Sequence, residues 1–135
     1  MRFQRAESPA LLNGFAAVRG FFSYCFRLDE GGAHERLWVA HVDNRARCLH
    51  VECYEGEPES VGMPVKDIIV DAARLGSAGV VLAHNHPSGD ARPSQADCLA
   101  TRRLAHAAEA IDLAILDHLI FAGRDCSSMR RMGLL

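Results

Sequence analysis

A short, uniformly apolar segment followed by a polar loop and a helix start constrains the fold of this chain most. Residues 79–83 read Gly-Val-Val-Leu-Ala. An apolar run this short is typical of a strand that is buried on both faces of a sheet. The run leads into His84, which is therefore expected at an exposed strand end. After the loop at 87–93, Ser94 is a suitable N-cap for a helix.

Further strands and helices are predicted on both sides of that segment. Strand patterns occur at 21–28, 35–42, 48–54 and 113–122, and turn residues occur at 29–32 and 43–46. Helical patterns occur from Pro9 to about Ala17, from Pro64 to Leu75, and after Ser94. A polar loop is expected between Gly56 and Gly62. The order of these elements predicts an α/β fold with a mixed β-sheet flanked by helices.

The composition is that of one globular domain. The 135 residues are 49% hydrophobic and 24% charged, with 15 basic and 17 acidic residues. A chain of this length buries about two-thirds of its unfolded surface, so it does not need a disulfide or a metal in order to fold. Because the charges nearly balance, the composition gives no electrostatic argument for binding nucleic acid.

Cysteine usage and apolar segment length predict a cytoplasmic protein. The 5 cysteines are an odd number and include no Cys-x2-Cys pair, which favours free thiols in a reducing compartment. The sequence has no run of about 18 apolar residues and no pattern of a secretory signal at its N-terminus. We therefore expect no association with membranes.

His84, His86, Ser94 and Asp97 have the spacing of a metal site. Two histidines at i and i+2 can point the same way from a strand end. Asp97 follows Ser94 by one helical turn and can approach both histidines. Three such ligands and one position open for water make a catalytic zinc site. Ser94 and Asp97 alone would be interpreted as a helix cap, but their combination with the two histidines favours zinc binding.

Three segments resemble the RadC family of JAMM (JAB/MPN+) metallopeptidase-like domains. They are the run from His84 to Asp97, residues 71–90 (DAARLGSAGVVLAHNHPSGD) and residues 116–123 (LDHLIFAG). The resemblance covers about residues 33–125. It implies a JAB/MPN domain of cytidine-deaminase-like architecture at 33–135, after an N-terminal helix and strand at 1–32. RadC proteins carry a helix-hairpin-helix region before this domain, and about 30 residues are expected to be too few for it.

The same resemblance implies a role for each residue of the site. His84, His86 and Asp97 would bind zinc. The hydroxyl group of Ser94 would donate a hydrogen bond to the oxyanion that forms when water attacks a carbonyl group. A carboxylate is also needed to take a proton from the water and pass it to the leaving amine.

Two glutamates are candidates for this general base. Glu35 begins the predicted strand at 35–42 and Glu52 lies on the next strand, and both match family positions. We favour Glu35, because JAMM domains generally carry this glutamate on an early strand, well before the His-x-His pair. His118 also matches a family position and is a candidate to orient a metal ligand. The other histidines, at 34, 41, 50 and 106, are expected to be exposed or half-buried.

The resulting prediction is a zinc-dependent hydrolase of the JAMM type that acts on an amide, peptide or isopeptide bond of a peptide or protein substrate. One alternative is a DNA-repair or replication-associated accessory protein without peptidase activity, which the balanced charge disfavours. Another is a metal-binding scaffold without catalysis, which the complete ligand set disfavours. His50-Val51-Glu52 matches the first half of the zinc-deaminase signature, but the second half is absent, so base deamination is not predicted.

Overall fold

A mixed β-sheet with helices on both faces forms the described part of the chain. The computed structural model describes residues 2–3, 9–28, 34–56 and 62–135. The strands are β1 (Arg2–Phe3), β2 (Arg36–Val42), β3 (Cys48–Glu55), β4 (Gly79–Asn85), β5 (Ala114–Ala122) and β6 (Asp125–Ser128). The helices are α1 (Phe15–Leu28), α2 (Val65–Leu75) and α3 (Gln95–Glu109). The predicted α/β class and mixed sheet are confirmed.

Strand β4 lies in the interior of the sheet, and both of its faces are covered. The strand order is β1-β3-β2-β4-β5-β6, in which β4 and β5 are parallel and the other described pairs are antiparallel. Val81 and Ala83 pack into the apolar cluster beneath α1, whereas Val80 and Leu82 pack into the cluster beneath α2 and α3. Since successive side chains on a strand alternate between faces, this strand has to be apolar throughout, as predicted.

Helix α1 lies where the sequence pattern predicts a strand. The helix expected from Pro9 to about Ala17 and the strand expected at 21–28 are both wrong, because one helix spans Phe15–Leu28 and residues 9–13 are not helical. The buried side chains of α1 are Val18, Phe22 and Cys25. Their spacing of four and three residues is a helical stripe. The aromatic residues of this segment favour a strand locally, but packing of the stripe against the sheet overrides that preference.

The hairpin between β2 and β3 has the predicted turn. Asp43 Oδ1 accepts hydrogen bonds of 2.9 Å from the backbone N–H groups of both Arg45 and Arg47. Ala46 adopts a left-handed conformation with φ of 62°. The turn predicted at 29–32 and most of the polar loop predicted before Gly62, at 57–61, lie outside the described residues.

The other helices and the last central strand match their predicted positions closely, and one further strand follows. α2 ends at Gly76, which has a left-handed φ of 67°, and Ser94 caps α3. The sequence pattern does not predict β6, which pairs with β5 after a turn at Gly123. All five cysteines carry free thiols. Among the described helices, none is long and apolar enough to cross a bilayer.

Replacing Gly79 with Ala is expected to lower the free energy of unfolding by about 1 to 3 kcal/mol, the usual cost of overpacking. A Cβ atom at this position would lie 3.0 Å from Leu116 Cδ1 and 3.2 Å from the carbonyl oxygen of Ala114. Gly20, an exposed residue of α1, is the control, because a Cβ atom there would meet nothing within 4 Å. Gly20→Ala is expected to stabilise the protein by about 0.5 to 1 kcal/mol. Urea unfolding measures both changes, and an unchanged Gly79→Ala variant would contradict this close packing of β4 against β5.

Candidate metal centre

Three side chains from the end of β4 and the start of α3 converge on one point. His84 Nε2 lies 2.8 Å from His86 Nε2. The carboxylate of Asp97 approaches both rings, with Oδ2 at 3.1 Å from His86 Nε2 and Oδ1 at 3.4 Å from His84 Nε2. Within the described chain, this is the one group of three or more His, Cys, Asp or Glu side chains whose ligand atoms all lie within 4.8 Å of one another.

A backbone carbonyl group determines which nitrogen of His86 carries the proton. The Nδ1 atom lies 2.8 Å from the carbonyl oxygen of Asp90. A carbonyl oxygen can only accept, so Nδ1 must be the donor. In a neutral imidazole the other nitrogen is then unprotonated. In its neutral form, His86 therefore has its lone pair on Nε2, the nitrogen that faces His84.

A chain of three hydrogen bonds determines the proton position on His84 in the same way. The hydroxyl group of Thr101 donates to the carbonyl oxygen of Asp97 at 2.8 Å, so it accepts from His118 Nδ1 at 2.7 Å. His118 Nε2 is then an acceptor for His84 Nδ1 at 2.7 Å. Complete burial lowers the pKa of His118 well below its usual value, which keeps this ring neutral. When the His84 ring is neutral, as a metal ligand must be, Nε2 is therefore its unprotonated nitrogen.

His118 matches a family position in the sequence, whereas Thr101 is a functional residue that the motifs do not indicate. Thr101 lies four residues after Asp97, one helical turn along α3. That spacing is the available signal, because side chains at i and i+4 share a helix face. The role of Thr101 depends on the packing of α3 against β5, which brings His118 next to it. The spacing of residues in the sequence does not predict that packing.

Asp97 is held by the start of its own helix. Its Oδ2 atom accepts a 2.8 Å hydrogen bond from the backbone N–H of Ser94, and its own N–H donates to Ser94 Oγ at 3.0 Å. Partial burial opposes ionisation, but interactions with His84 and the hydrogen bonds from Ser94 outweigh it and hold the pKa of Asp97 below its usual range. The helix-cap interpretation and the metal-site interpretation therefore describe the same pair of residues, since the cap fixes an ionised carboxylate beside the histidines.

The donor set and the available space both fit zinc. Two imidazole nitrogens and one carboxylate oxygen are ligands that zinc takes in catalytic sites. Two nitrogen lone pairs 2.8 Å apart repel each other unless a cation or a shared proton lies between them. A cavity of about 30 Å³ adjoins His84 and Asp97, and Glu35 and His118 also line it. A cavity of this volume has room for one water molecule.

The structure brings Glu35 and Ser94 to this site but not Glu52. Glu35, Ser94, His86 and Asp97 line one open cleft of about 870 Å³. Glu52 lies on β3, where its Oε1 atom is 3.4 Å from His50 Nε2. It is not among the described residues that line the cleft or the small cavity.

Two other histidines are more buried than the sequence predicts. His41 and His50 are 0% and 5% exposed, so the expectation of exposed or half-buried side chains is wrong for both. His41 Nδ1 lies 2.9 Å from the hydroxyl oxygen of Ser77. Burial lowers the pKa of His41 to about 4. His34 and His106 are exposed, as expected.

Replacing Thr101 with Val is expected to lower the free energy of unfolding by about 1 to 3 kcal/mol, because it leaves the N–H of buried His118 without its acceptor. Thr101→Ser is the control, since it retains the hydroxyl group. Thermal unfolding at neutral pH compares the two variants. Equal stability of Thr101→Val and Thr101→Ser would contradict the hydrogen-bond chain described above.

Comparisons with known proteins agree with the fold. The chain matches the family model of the RadC-like JAB domain over residues 15–134. A UPF0758 protein of Pseudoalteromonas translucida is 33% identical over 133 residues, which are 98% of this chain and 58% of the relative. A UPF0758 protein of a Polaromonas species is 34% identical over 134 residues, with the same two shares. The chain thus spans a little over half the length of these relatives, and it belongs to the RadC-like JAB domain family.

Proposed function

We propose that this domain is a zinc-dependent hydrolase of the JAMM type that cleaves an amide, peptide or isopeptide bond. The observation that supports this proposal most is the meeting of two imidazole nitrogens, His84 Nε2 and His86 Nε2, at 2.8 Å from each other, beside the carboxylate of Asp97. Three ligands of these types leave a fourth position free in a tetrahedral zinc site, which is the arrangement of a hydrolytic centre.

The surrounding hydrogen bonds orient the proposed ligands. His84 donates to His118, and His86 donates to the carbonyl oxygen of Asp90, so each ring is fixed with Nε2 facing inwards. The cap formed with Ser94 fixes the carboxylate of Asp97. When bound, zinc supplies Lewis acidity, which acidifies water and polarises a carbonyl group.

In this proposal, Glu35 transfers the proton. It is the one glutamate shared by the linings of the small cavity next to His84 and of the open cleft, among the residues that the structure describes. Its carboxylate can therefore accept a proton from an attacking water and deliver it to a leaving amine in the cleft. General acid-base catalysis of this kind is worth roughly 10² to 10⁴ in rate.

In this proposal, Ser94 stabilises the oxyanion. Its Oγ atom accepts a hydrogen bond from the N–H of Asp97, which leaves the hydroxyl proton to be donated to another acceptor. Since Ser94 lines the cleft beside His86 and Asp97, this donor would face a carbonyl oxygen bound there. Helix capping and oxyanion binding use different atoms of the hydroxyl group and are compatible.

The cleft supports a peptide or protein substrate. Its volume of about 870 Å³ is at the upper end of the range for ligand sites and is open to solvent. The charged residues Asp90, Arg92 and Arg103 also line it, and Asp90 pairs with Arg92 at 2.6 Å. A mixed-charge, open cleft suits an extended segment of polypeptide more than a small apolar molecule.

The purified protein is expected to bind about one zinc ion per chain, and His86→Ala or Asp97→Ala is expected to empty the site, because each removes one of three ligands. His106→Ala is the control, since this histidine side chain on α3 is 89% exposed and lies outside the site. Mass spectrometry of metals after dialysis measures the zinc content. Wild-type zinc levels in both ligand variants would show that the ligand set is wrong.

Replacing Glu35 with Gln is expected to leave zinc bound and to lower the rate of amide hydrolysis roughly 10²- to 10⁴-fold, because the shape is kept and the base is lost. Glu52→Gln is the matched control and is expected to change the rate much less. Fluorescein-labelled casein and a library of quenched fluorescent peptides serve as substrates. A larger loss in Glu52→Gln would reverse the assignment, and no cleavage by the zinc-loaded wild-type protein would contradict the proposed peptidase activity.

A further inference from the structure

The side chain of Asn85, between the two histidines, bridges the backbone on either side of Glu35. Its Oδ1 atom accepts a 2.7 Å hydrogen bond from the N–H of Arg36. Its Nδ2 group donates a 3.0 Å hydrogen bond to the carbonyl oxygen of His34. One carboxamide thus holds the two peptide groups that flank Glu35.

The hydrogen bonds of the Asn85 side chain extend the contact between β2 and β4 beyond the point where the backbone of β4 leaves β2. Antiparallel pairing of β2 with β4 reaches Leu37 opposite His84 and goes no further. The backbone N–H of the next histidine, His86, donates instead to the carbonyl oxygen of Phe121 on β5, at 2.8 Å. A carboxamide has the same donor and acceptor as a peptide group, so the side chain of Asn85 takes the place of the missing strand partner.

The direction of the Glu35 side chain follows from this pairing. Side chains at i and i+2 on a strand share a face, and Glu35, Leu37 and His84 all line the small cavity beside the candidate metal centre. Displacement or rotation of the peptide groups at 34–36 would therefore move the carboxylate away from this cavity. Burial of Glu35 is only partial, so packing alone restrains it less than it restrains the strand residues that follow.

We propose that Asn85 is a positioning residue that holds Glu35 in its catalytic orientation. This inference rests on the proposed function, in which Glu35 transfers the proton. The three-residue segment His84-Asn85-His86 then supplies two metal ligands and also locates the base relative to them, so the distance between base and metal is set within one strand end.

Hydrogen exchange tests the bridge without any assay of activity. In zinc-loaded protein, Asn85→Ala is expected to speed exchange of the Arg36 backbone amide about tenfold, because the amide loses its acceptor. Ser77→Ala is the matched control, since it removes a side-chain hydrogen bond to His41 at the other end of β4. It is expected to leave exchange at Arg36 unchanged.

A double-mutant cycle tests whether Asn85 acts through Glu35. With fluorescein-labelled casein as the substrate, Asn85→Ala is expected to lower kcat about tenfold with wild-type zinc content. In the Glu35→Gln background the same substitution should change kcat less than twofold, because the group that it positions is already inactive. Ser77→Ala should leave kcat unchanged.

Two results would overturn the proposal. One is unchanged exchange at Arg36 in Asn85→Ala, and the other is an equal loss of kcat in both backgrounds, which would show that Asn85 acts on the metal ligands or on general stability. If the wild-type protein bound zinc but cleaved nothing, the proposed function would fail separately, and exchange at Arg36 would still decide whether the bridge exists.

Discussion

The hydrogen-bond chain from His84 through His118 and Thr101 to the carbonyl oxygen of Asp97 is the interaction on which the site depends. It links β4, β5 and α3, which are the three elements that meet at this end of the sheet. These hydrogen bonds begin at the candidate ligand His84 and end at the backbone of the candidate ligand Asp97. Because each bond has a fixed donor direction, it holds the His84 ring in one tautomer and keeps the distance between two ligands nearly constant.

Different parts of the fold provide its stability and hold the candidate metal ligands. Both faces of β4 are covered by apolar clusters, so the sheet does not require a metal to hold together. Polar groups concentrate where β4 ends, and each is held by a hydrogen bond to a helix start, a loop carbonyl group or a neighbouring strand. The site can therefore keep two imidazole nitrogens and a carboxylate close together.

Local patterns in the sequence were enough to predict β4, the hairpin turn at Asp43 and the capped start of α3, because each depends on neighbouring residues. They also brought His84, His86 and Asp97 together, since a strand end and a helix start are separated by one short loop. Helix α1 and the burial of His41 were predicted wrongly, because packing against the sheet decides both. Thr101 and Asn85 were missed because their partners, His118 and the backbone beside Glu35, are distant in the sequence. Such contacts depend on how strands pair and how helices pack against them, which patterns in a single sequence do not show.

X-ray absorption at the zinc edge tests the central claim most directly, because it reports the atoms that surround the metal in the loaded protein. The account predicts nitrogen and oxygen neighbours at about 2.0 to 2.2 Å, with the outer scattering pattern of two imidazole rings. Sulfur neighbours at about 2.3 Å would place the metal on cysteines instead. That result, or a spectrum without imidazole scattering, would contradict the assignment of His84 and His86 as ligands.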